Sequence, residues 1–400
     1  MLRSIKDIDV QDKTVIVRVD YNVSVNDGAI VSTKKIDDSF ETLDYLVSKN
    51  AKIILLSHFG RVKTAEDKEK NSLRIVYDYI KGLNKYDLLY CSEVMGTMLE
   101  TMSSNLKPGQ IILVENTRFM DIEGNLESGC DIQLSMFWAG LADLYIDDAF
   151  GSMHRNHASI TGIPKYLPSA VGFLVLKEVE NLKRVVSDVE KPFVVVMGGA
   201  KLDDKIELIY SLAEKADHIL LGGGIANTFL QVLGYNVGES LVSTESLAIA
   251  KEISMEFPDK IILPKDFITS PSFSNEMYEH KDLNEIGVDD VIGDIGSAAV
   301  ANYKKILNGA RTIFVNGTMG IYEQLEFSNG TREILDIVSN TNAFKVVGGG
   351  DALSALKKFK FEDKMDFVST GGGATLEYIA NGTLVGLKAI EDSKYEEDND

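Results

Sequence analysis

The sequence has only two cysteines, Cys91 and Cys130, and no C-x-x-C spacing. That excludes a disulfide framework and a cysteine zinc site and leaves two ordinary reduced thiols. No run of about 18 apolar residues is present, so no segment reads as a membrane-spanning helix, and the N-terminal MLRSIKDIDVQDK has no apolar stretch of the signal-peptide kind. A soluble, cytoplasmic protein is expected. Basic charge is scarce: 41 lysines and arginines face 61 acids, a net −20 that opposes general attraction to nucleic acid or anionic lipid. Any anionic ligand must therefore meet a local basic cluster. The common phosphate-handling signatures are missing as well. There is no GxxxxGK(S/T), no GxGxxG opening a helix, and no protein-kinase HRD or DFG, since MHRNH (153–157) has Asn after its Arg.

What is present is a chain of 400 residues, 44% of them hydrophobic, enough for two or three domains of about 150 residues each. Short apolar runs rich in β-branched residues recur with helical segments between them. The first set is TVIVRV (14–19), KIILLS (52–57), IILV (111–114) and LYI (144–146); the second is FVVVM (193–197), HILL (218–221), KIIL (260–263), RTIFV (311–315), FKVV (344–347) and DFVS (366–369). Continuous rather than alternating hydrophobicity predicts strands covered on both faces, with crossover helices between them. The fold class is α/β, built twice. Between the sets, FLVLKEVENLKRVV (173–186) has helical apolar spacing, an acidic start and a basic end, and marks the junction. GIPKYLPS (162–169) and VEKP (189–192) flank it, each able to act as a hinge. The acidic tail EDSKYEEDND reads as a frayed, solvated end.

In the second half glycines follow the strands. FVVVM runs into Gly198-Gly199-Ala200-Lys201, HILL into Gly222-Gly223-Gly224, FKVV into Gly348-Gly349-Gly350-Asp351 and FVST into Gly371-Gly372-Gly373. In open parallel sheets ligands bind beyond the carboxyl ends of strands, where glycine lets backbone N–H groups and helix N-termini approach phosphate. One such turn also serves tight packing; the series points to a nucleotide. The first half puts cationic and polar residues at its strand ends instead: Asp20 and Asn22 in RVDYN, His58 and Arg61 in SHFGR, Arg118 in ENTRF, His154 and Arg155 in GSMHRNH. Arginine's planar fork matches carboxylate and phosphate oxygens, so Arg61, Arg118 and Arg155 together suit a small polyanionic metabolite. Arg18, inside a strand, reads as an internal ion-pair partner. His154 and His157 stand at i,i+3 like a metal pair, but no third ligand is nearby.

RVDYNV (18–23), LLSHFGR (55–61), ENTRF (115–119), DDAFGSMHRNHAS (147–159), GGAKLDDKI (198–206), GGGIANTF (222–229), NGTMGIYE (316–323), VGGGDA (347–352) and STGGGATLE (369–377) together resemble the phosphoglycerate kinase family, in that family's order and across nearly the whole chain. The resemblance implies two Rossmann-like lobes, each a parallel sheet flanked by helices, joined by a hinge helix. Residues 1–172 with 386–400 would bind 3-phosphoglycerate, 173–189 form the hinge, and 190–385 bind Mg-ADP or Mg-ATP. It implies a monomeric glycolytic transferase moving a phosphoryl group between 1,3-bisphosphoglycerate and ADP. Carried over by motif, Asp20, Asn22, Lys35, His58, Arg61, Arg118 and Arg155 hold the triose, and Lys35, Lys201, Gly350 and Gly373 act on the moving phosphoryl. Gly199, Lys201, Lys205, Gly223, Asn316, Glu323, Gly349, Asp351 and Ala352 meet the nucleotide, with Asp351 holding its Mg2+. An acyl phosphate is already a good leaving group, so positioning and charge neutralisation suffice without a strong base.

Some positions depart from the pattern. Lys35, in KKI, stands where the family has an arginine, keeping the charge and losing the fork. The family's DIGPxT reads Asp294-Ile295-Gly296-Ser297-Ala298-Ala299, NGPMG has Thr318, and Ala352 replaces a small hydroxyl residue. The alternative these departures support is a catalytically weakened paralogue that binds nucleotide or triose.

Overall fold

The structure, a computed structural model, describes residues 2–200, 202–271 and 277–394. Lys201 and the end of the acidic tail lie outside the described residues.

One compact unit comprises Met1–Val179 and Thr383–Asp400. Its strands are β1 (Thr14–Val19), a short ribbon of β2 (Val25–Asn26) and β3 (Ala29–Ile30), then β4 (Lys52–Leu56), β5 (Leu88–Cys91), β6 (Ile111–Val114), β7 (Leu144–Asp148) and β8 (Ser169–Val171). Apart from the ribbon they form one parallel sheet in the order β5-β6-β4-β1-β7-β8. The unbroken apolar runs are explained by burial on both faces. Val15, Val17 and Val19 join one core with Ile53 and Leu55, while Ile16 joins a second with Ile54 and Leu56. The chain winds to one side of β1 through β4, β5 and β6 and then crosses to β7 on the other. Where the winding reverses, the loops after neighbouring strands part and leave a crevice at their carboxyl ends.

Residues 173–186 form one helix, with Lys183 and Arg184 in its last turn. The acidic start is a misreading: the helix begins at Phe173, and its first turn holds no acid. The carboxylate comes from β7 instead. Asp148 Oδ1 accepts from the N–H groups of Leu174 at 2.9 Å and Val175 at 3.3 Å, and burial pushes the Asp148 carboxyl up to about 7. Segment 162–169 is packed into this unit, with Gly162, Ile163 and Pro164 buried. The helix Val385–Glu391 also belongs here, its Gly386 N–H donating to the Met153 carbonyl at 2.8 Å.

The second unit, Glu180–Gly382, contains β9 (Phe193–Met197), β10 (His218–Leu221), β11 (Ile261–Ile262), β12 (Asp266–Ser270), β13 (Glu279–Asp282), β14 (Val291–Ile295), β15 (Thr312–Asn316), β16 (Phe344–Val347) and β17 (Phe367–Val368). The parallel sheet runs β11-β10-β9-β15-β16-β17, and its winding reverses between β9 and β15. β12, β13 and β14 form a separate antiparallel sheet inserted ahead of β15. Among the described residues no helix is long and apolar enough to cross a membrane.

Candidate active site

In the first unit the carboxyl ends of β1, β4, β6 and β7 carry Asp20, His58, Arg118 and Arg155. The loop after β1 folds back so that Lys35 Nζ lies 2.9 Å from Asp20 Oδ2. Asp20 Oδ1 accepts from the Asn22 N–H at 3.2 Å, and Asn22 Oδ1 from the Gly60 N–H at 2.9 Å, tying this loop to the one after β4. Buried Asn116 secures the next loop: its Oδ1 accepts from Phe59 N and Arg118 N, each at 3.0 Å, and its amide donates to the Phe59 carbonyl at 2.6 Å. Arg61 is exposed at the rim.

Three arginines meet the two buried histidines. His58 faces Arg18 Nη2 with Nδ1 at 3.1 Å and Arg155 Nη1 with Nε2 at 3.4 Å, and His157 Nε2 faces Arg118 Nη2 at 3.3 Å. Burial first, then the charge of Arg18, hold His58 far below the usual histidine range, and burial with Arg118 pushes His157 down to about 3. Both rings are neutral at ordinary pH. Burial, Arg118 and Arg18 also lower Arg155. Asp20 is pulled down: burial opposes this, and the charge and hydrogen bond of Lys35 together with the charge of Arg18 outweigh it. A site already short of negative charge is prepared for an anion.

Arg18 is not the ion-pair partner the sequence suggested. Among the described residues no carboxylate lies within 4.0 Å of it; Nε donates to Ser159 Oγ at 2.9 Å and Nη1 to the Val19 carbonyl. Its charge acts at longer range on Glu127 and Asp147. His154 and His157 face arginines, and no group of three metal-ligating side chains occurs among the described residues.

In the second unit a cavity of about 330 Å³ lies at the strand ends, lined by Gly199 and Ala200 after β9, Gly223, Gly224 and Asn227, Thr318 and Gly320 to Glu323 after β15, and Asp351. Leu241, Ile292 and Gly293 complete its wall. The turns press backbone on backbone. A Cβ on Gly317, whose φ is +89°, would lie 2.1 Å from the Gly198 carbonyl oxygen, and one on Gly223 would lie 2.8 Å from that of Gly199. Only glycine fits there. Lys205 Nζ donates to the Gly198 carbonyl at 2.7 Å, and the Asn316 amide to the Gly348 carbonyl at 2.7 Å. Gly349 caps the helix Gly350–Phe359, whose first turn holds Asp351 and buried Ala352; Gly373 opens the helix Gly373–Asn381. Open space surrounds Gly350 and Gly373. Asp294 stays inside the wall, accepting from Gly330 N at 2.6 Å and Ile295 N at 2.9 Å while burial raises it to about 8.

A family model described as phosphoglycerate kinase matches residues 5–382. The chain belongs to the phosphoglycerate kinase family. It is 41% identical over 393 residues to the phosphoglycerate kinase of Enterococcus faecalis, covering 98% of this chain and 99% of that one. Against the Listeria welshimeri phosphoglycerate kinase the identity is 41% over 390 residues, covering 97% and 98%. Among solved structures, phosphoglycerate kinase from Coxiella burnetii superposes with a TM-score of 0.89 at 34% identity, covering 98% of this chain and all of that one. The Pyrococcus horikoshii enzyme gives 0.83 at 29%, covering 98% and 99%. The chain is thus a glycolytic kinase, and a weakened binding paralogue is not the favoured reading.

Motif reading overlooked Asn227, Leu241, Ile292 and Tyr322 in the cavity wall, and Asn116, Glu127 and Ser159 behind the arginines. Asn227 and Tyr322 lay inside quoted motifs, whereas Leu241 and Ile292 carry no sequence signal beyond being apolar.

Proposed function

We propose that the reaction, phosphoryl transfer between 1,3-bisphosphoglycerate and ADP to give 3-phosphoglycerate and ATP, is run by two sets of residues on separate units. Asp20, Asn22, Lys35, His58, Arg61, Arg118 and Arg155 hold the triose. Gly199, Lys201, Lys205, Gly223, Asn316, Glu323, Gly349, Asp351 and Ala352 hold the nucleotide, and Lys35, Lys201 and the N–H groups at Gly350 and Gly373 stabilise the phosphoryl in flight. The observation that carries this is the pairing of a cation-lined crevice with a glycine-lined cavity, each where the winding of its sheet reverses. The phosphorus–oxygen bond to the triose carboxyl breaks as the bond to the terminal phosphate oxygen of ADP forms, and fixed positive charge is what such a transfer needs.

The residues fit a magnesium ion carried by the nucleotide. Asp351 is an exposed carboxylate on the cavity, which Glu323 also lines, and Mg2+ ordinarily takes one or two carboxylates together with substrate phosphates and water. The ion would neutralise phosphate charge. A hinge closure that excludes water belongs to the same reading, because substrates held on separate units must meet. We also infer a monomeric, cytoplasmic enzyme with no nucleic-acid or membrane partner, in keeping with the net charge of −20.

A coupled assay for ATP-dependent formation of 1,3-bisphosphoglycerate, with separate titrations of 3-phosphoglycerate and Mg-nucleotide, tests the reading. Asp351→Ala should weaken Mg-nucleotide at least tenfold, about 1.4 kcal/mol, with little effect on 3-phosphoglycerate. Equal loss for both ligands would make Asp351 structural.

A further inference from the structure

Behind the arginine cluster lies a fully buried carboxylate, Glu127, each of whose oxygens accepts a hydrogen bond from Ser159. Ser159 N–H points at Oε2 at 3.0 Å, Ser159 Oγ at Oε1 at 2.5 Å, and His157 Nδ1 lies 3.7 Å from Oε1. Once the Ser159 hydroxyl has given its only proton to Glu127, it can only accept, and it accepts from Arg18 Nε at 2.9 Å. Arg18, without solvent exposure, is thereby aimed with Nη2 at His58 Nδ1, 3.1 Å away.

A guanidinium has no lone pair to offer, so ring nitrogens that face one must accept. His157 faces Arg118 with Nε2; its proton is then on Nδ1, on the Glu127 side. His58 has a guanidinium at each nitrogen but, being neutral, a single lone pair. The closer partner, Arg18, takes it at Nδ1. The proton is left on Nε2, facing Arg155 Nη1 at 3.4 Å as donor against donor. Two donors converging without an acceptor is a poor arrangement for the empty protein and a good one once an anionic oxygen lies between them.

We propose that Glu127 is a positioning residue which, through Ser159 and Arg18, fixes His58 as the Nε2–H tautomer, while Arg118 fixes His157 as the Nδ1–H tautomer, so that His58 and Arg155 present converging donors to the triose. This rests on the triose reading above, and one experiment separates the two. Full-length protein labelled with 15N-histidine reports each ring's tautomer in long-range proton–nitrogen spectra, with the signals assigned through His58→Gln and His157→Gln.

The expected result is an unprotonated Nδ1 in His58 and an unprotonated Nε2 in His157, with the His58 Nε2–H signal moving when 3-phosphoglycerate is added. A His58 ring protonated on Nδ1 overturns the proposal. The stated tautomers with no response to 3-phosphoglycerate overturn the triose reading instead. Glu127→Gln places an amide against donors and should raise KM for 3-phosphoglycerate about tenfold, the loss of one charge-assisted hydrogen bond, while KM for nucleotide holds. A drop in stability with KM and tautomers unchanged shows a purely structural carboxylate and overturns the proposal. If Glu127→Gln does not fold, Ser159→Ala interrupts the same chain one link later and should act in the same direction; the wild-type spectrum decides in any case.

Discussion

The crevice of the first unit is made of side chains, and the cavity of the second is largely made of backbone. In the first, guanidiniums and imidazoles crowd together, and buried Glu127 and Asp147 offset their charge from behind. In the second, turns approach so closely at Gly198, Gly223 and Gly317 that no side chain could be added. On the proposed reading, a chain with a net charge of −20 would hold anions in two ways: by concentrating scarce cations at one place, and by offering N–H groups that carry no net charge. The first design should degrade by degrees as side chains are removed, and the second should fail when a single methyl group is added.

The largest effect should come from that methyl. Gly317→Ala must accommodate both a positive φ and a contact with the Gly198 carbonyl oxygen, and we expect the second unit to lose about 4 kcal/mol. Denaturant unfolding measures it, and a loss below about 1 kcal/mol would break the distinction between the two designs. Next come Arg61→Ala, Arg118→Ala and Arg155→Ala, each weakening 3-phosphoglycerate by about 1.5–3 kcal/mol, roughly ten- to a hundredfold, with nucleotide affinity kept. Exposed Arg61 should lie at the low end, and calorimetric titration ranks the three. Unchanged triose affinity in all of them would move the basic site elsewhere.

A pH series sharpens the contrast. Asp294 is raised from 3.8 to about 8, so its protonated form is the one the fold prefers. Its contribution to stability is full below pH 3.8 and is lost as pH rises to about 8, at no more than about 1.4 kcal/mol per pH unit. Unfolding free energy of the second unit should therefore fall between pH 6 and 8, and Asp294→Asn should flatten that slope. An equal slope in the variant assigns it to another group. His58 and His157 titrate too low to act in this window, so neither should contribute a step to triose affinity there. The smallest change is Lys35→Arg. Lysine already pairs with Asp20 at 2.9 Å, and a fork in its place should raise kcat/KM for 3-phosphoglycerate by up to about tenfold. A loss on that substitution means the loop has adapted to lysine.

Most of the parallel-strand framework was legible because double-sided burial leaves an unbroken apolar run. TVIVRV, FVVVM and FKVV coincide with β1, β9 and β16. β5 and β8 escaped because they are short edge strands: only Leu88 and Cys91 of LLYC are fully buried, and SAV offers three small or modest side chains. The inserted sheet was invisible for a different reason. EHKD of β13 is mostly exposed and charged, and only its pairing with β12 makes it a strand. At the candidate site, glycines and arginines at strand ends could be read because those residue types are constrained by what they approach. Glu127 and Ser159 could not, since their part depends on lying behind Arg18 in space, more than a hundred residues away along the chain.

The first unit is interrupted by the second, and this sets an order in time. On a ribosome, residues 180–382 emerge before the helix Val385–Glu391, whose Gly386 N–H reaches the Met153 carbonyl. At about 5–20 residues per second, that interval lasts roughly ten to forty seconds. Throughout it, the segment bearing His154, Arg155 and His157 is already made but waits for its packing partner, while every residue of the second unit becomes available in one stretch. The unit that is begun first is the last to be completed.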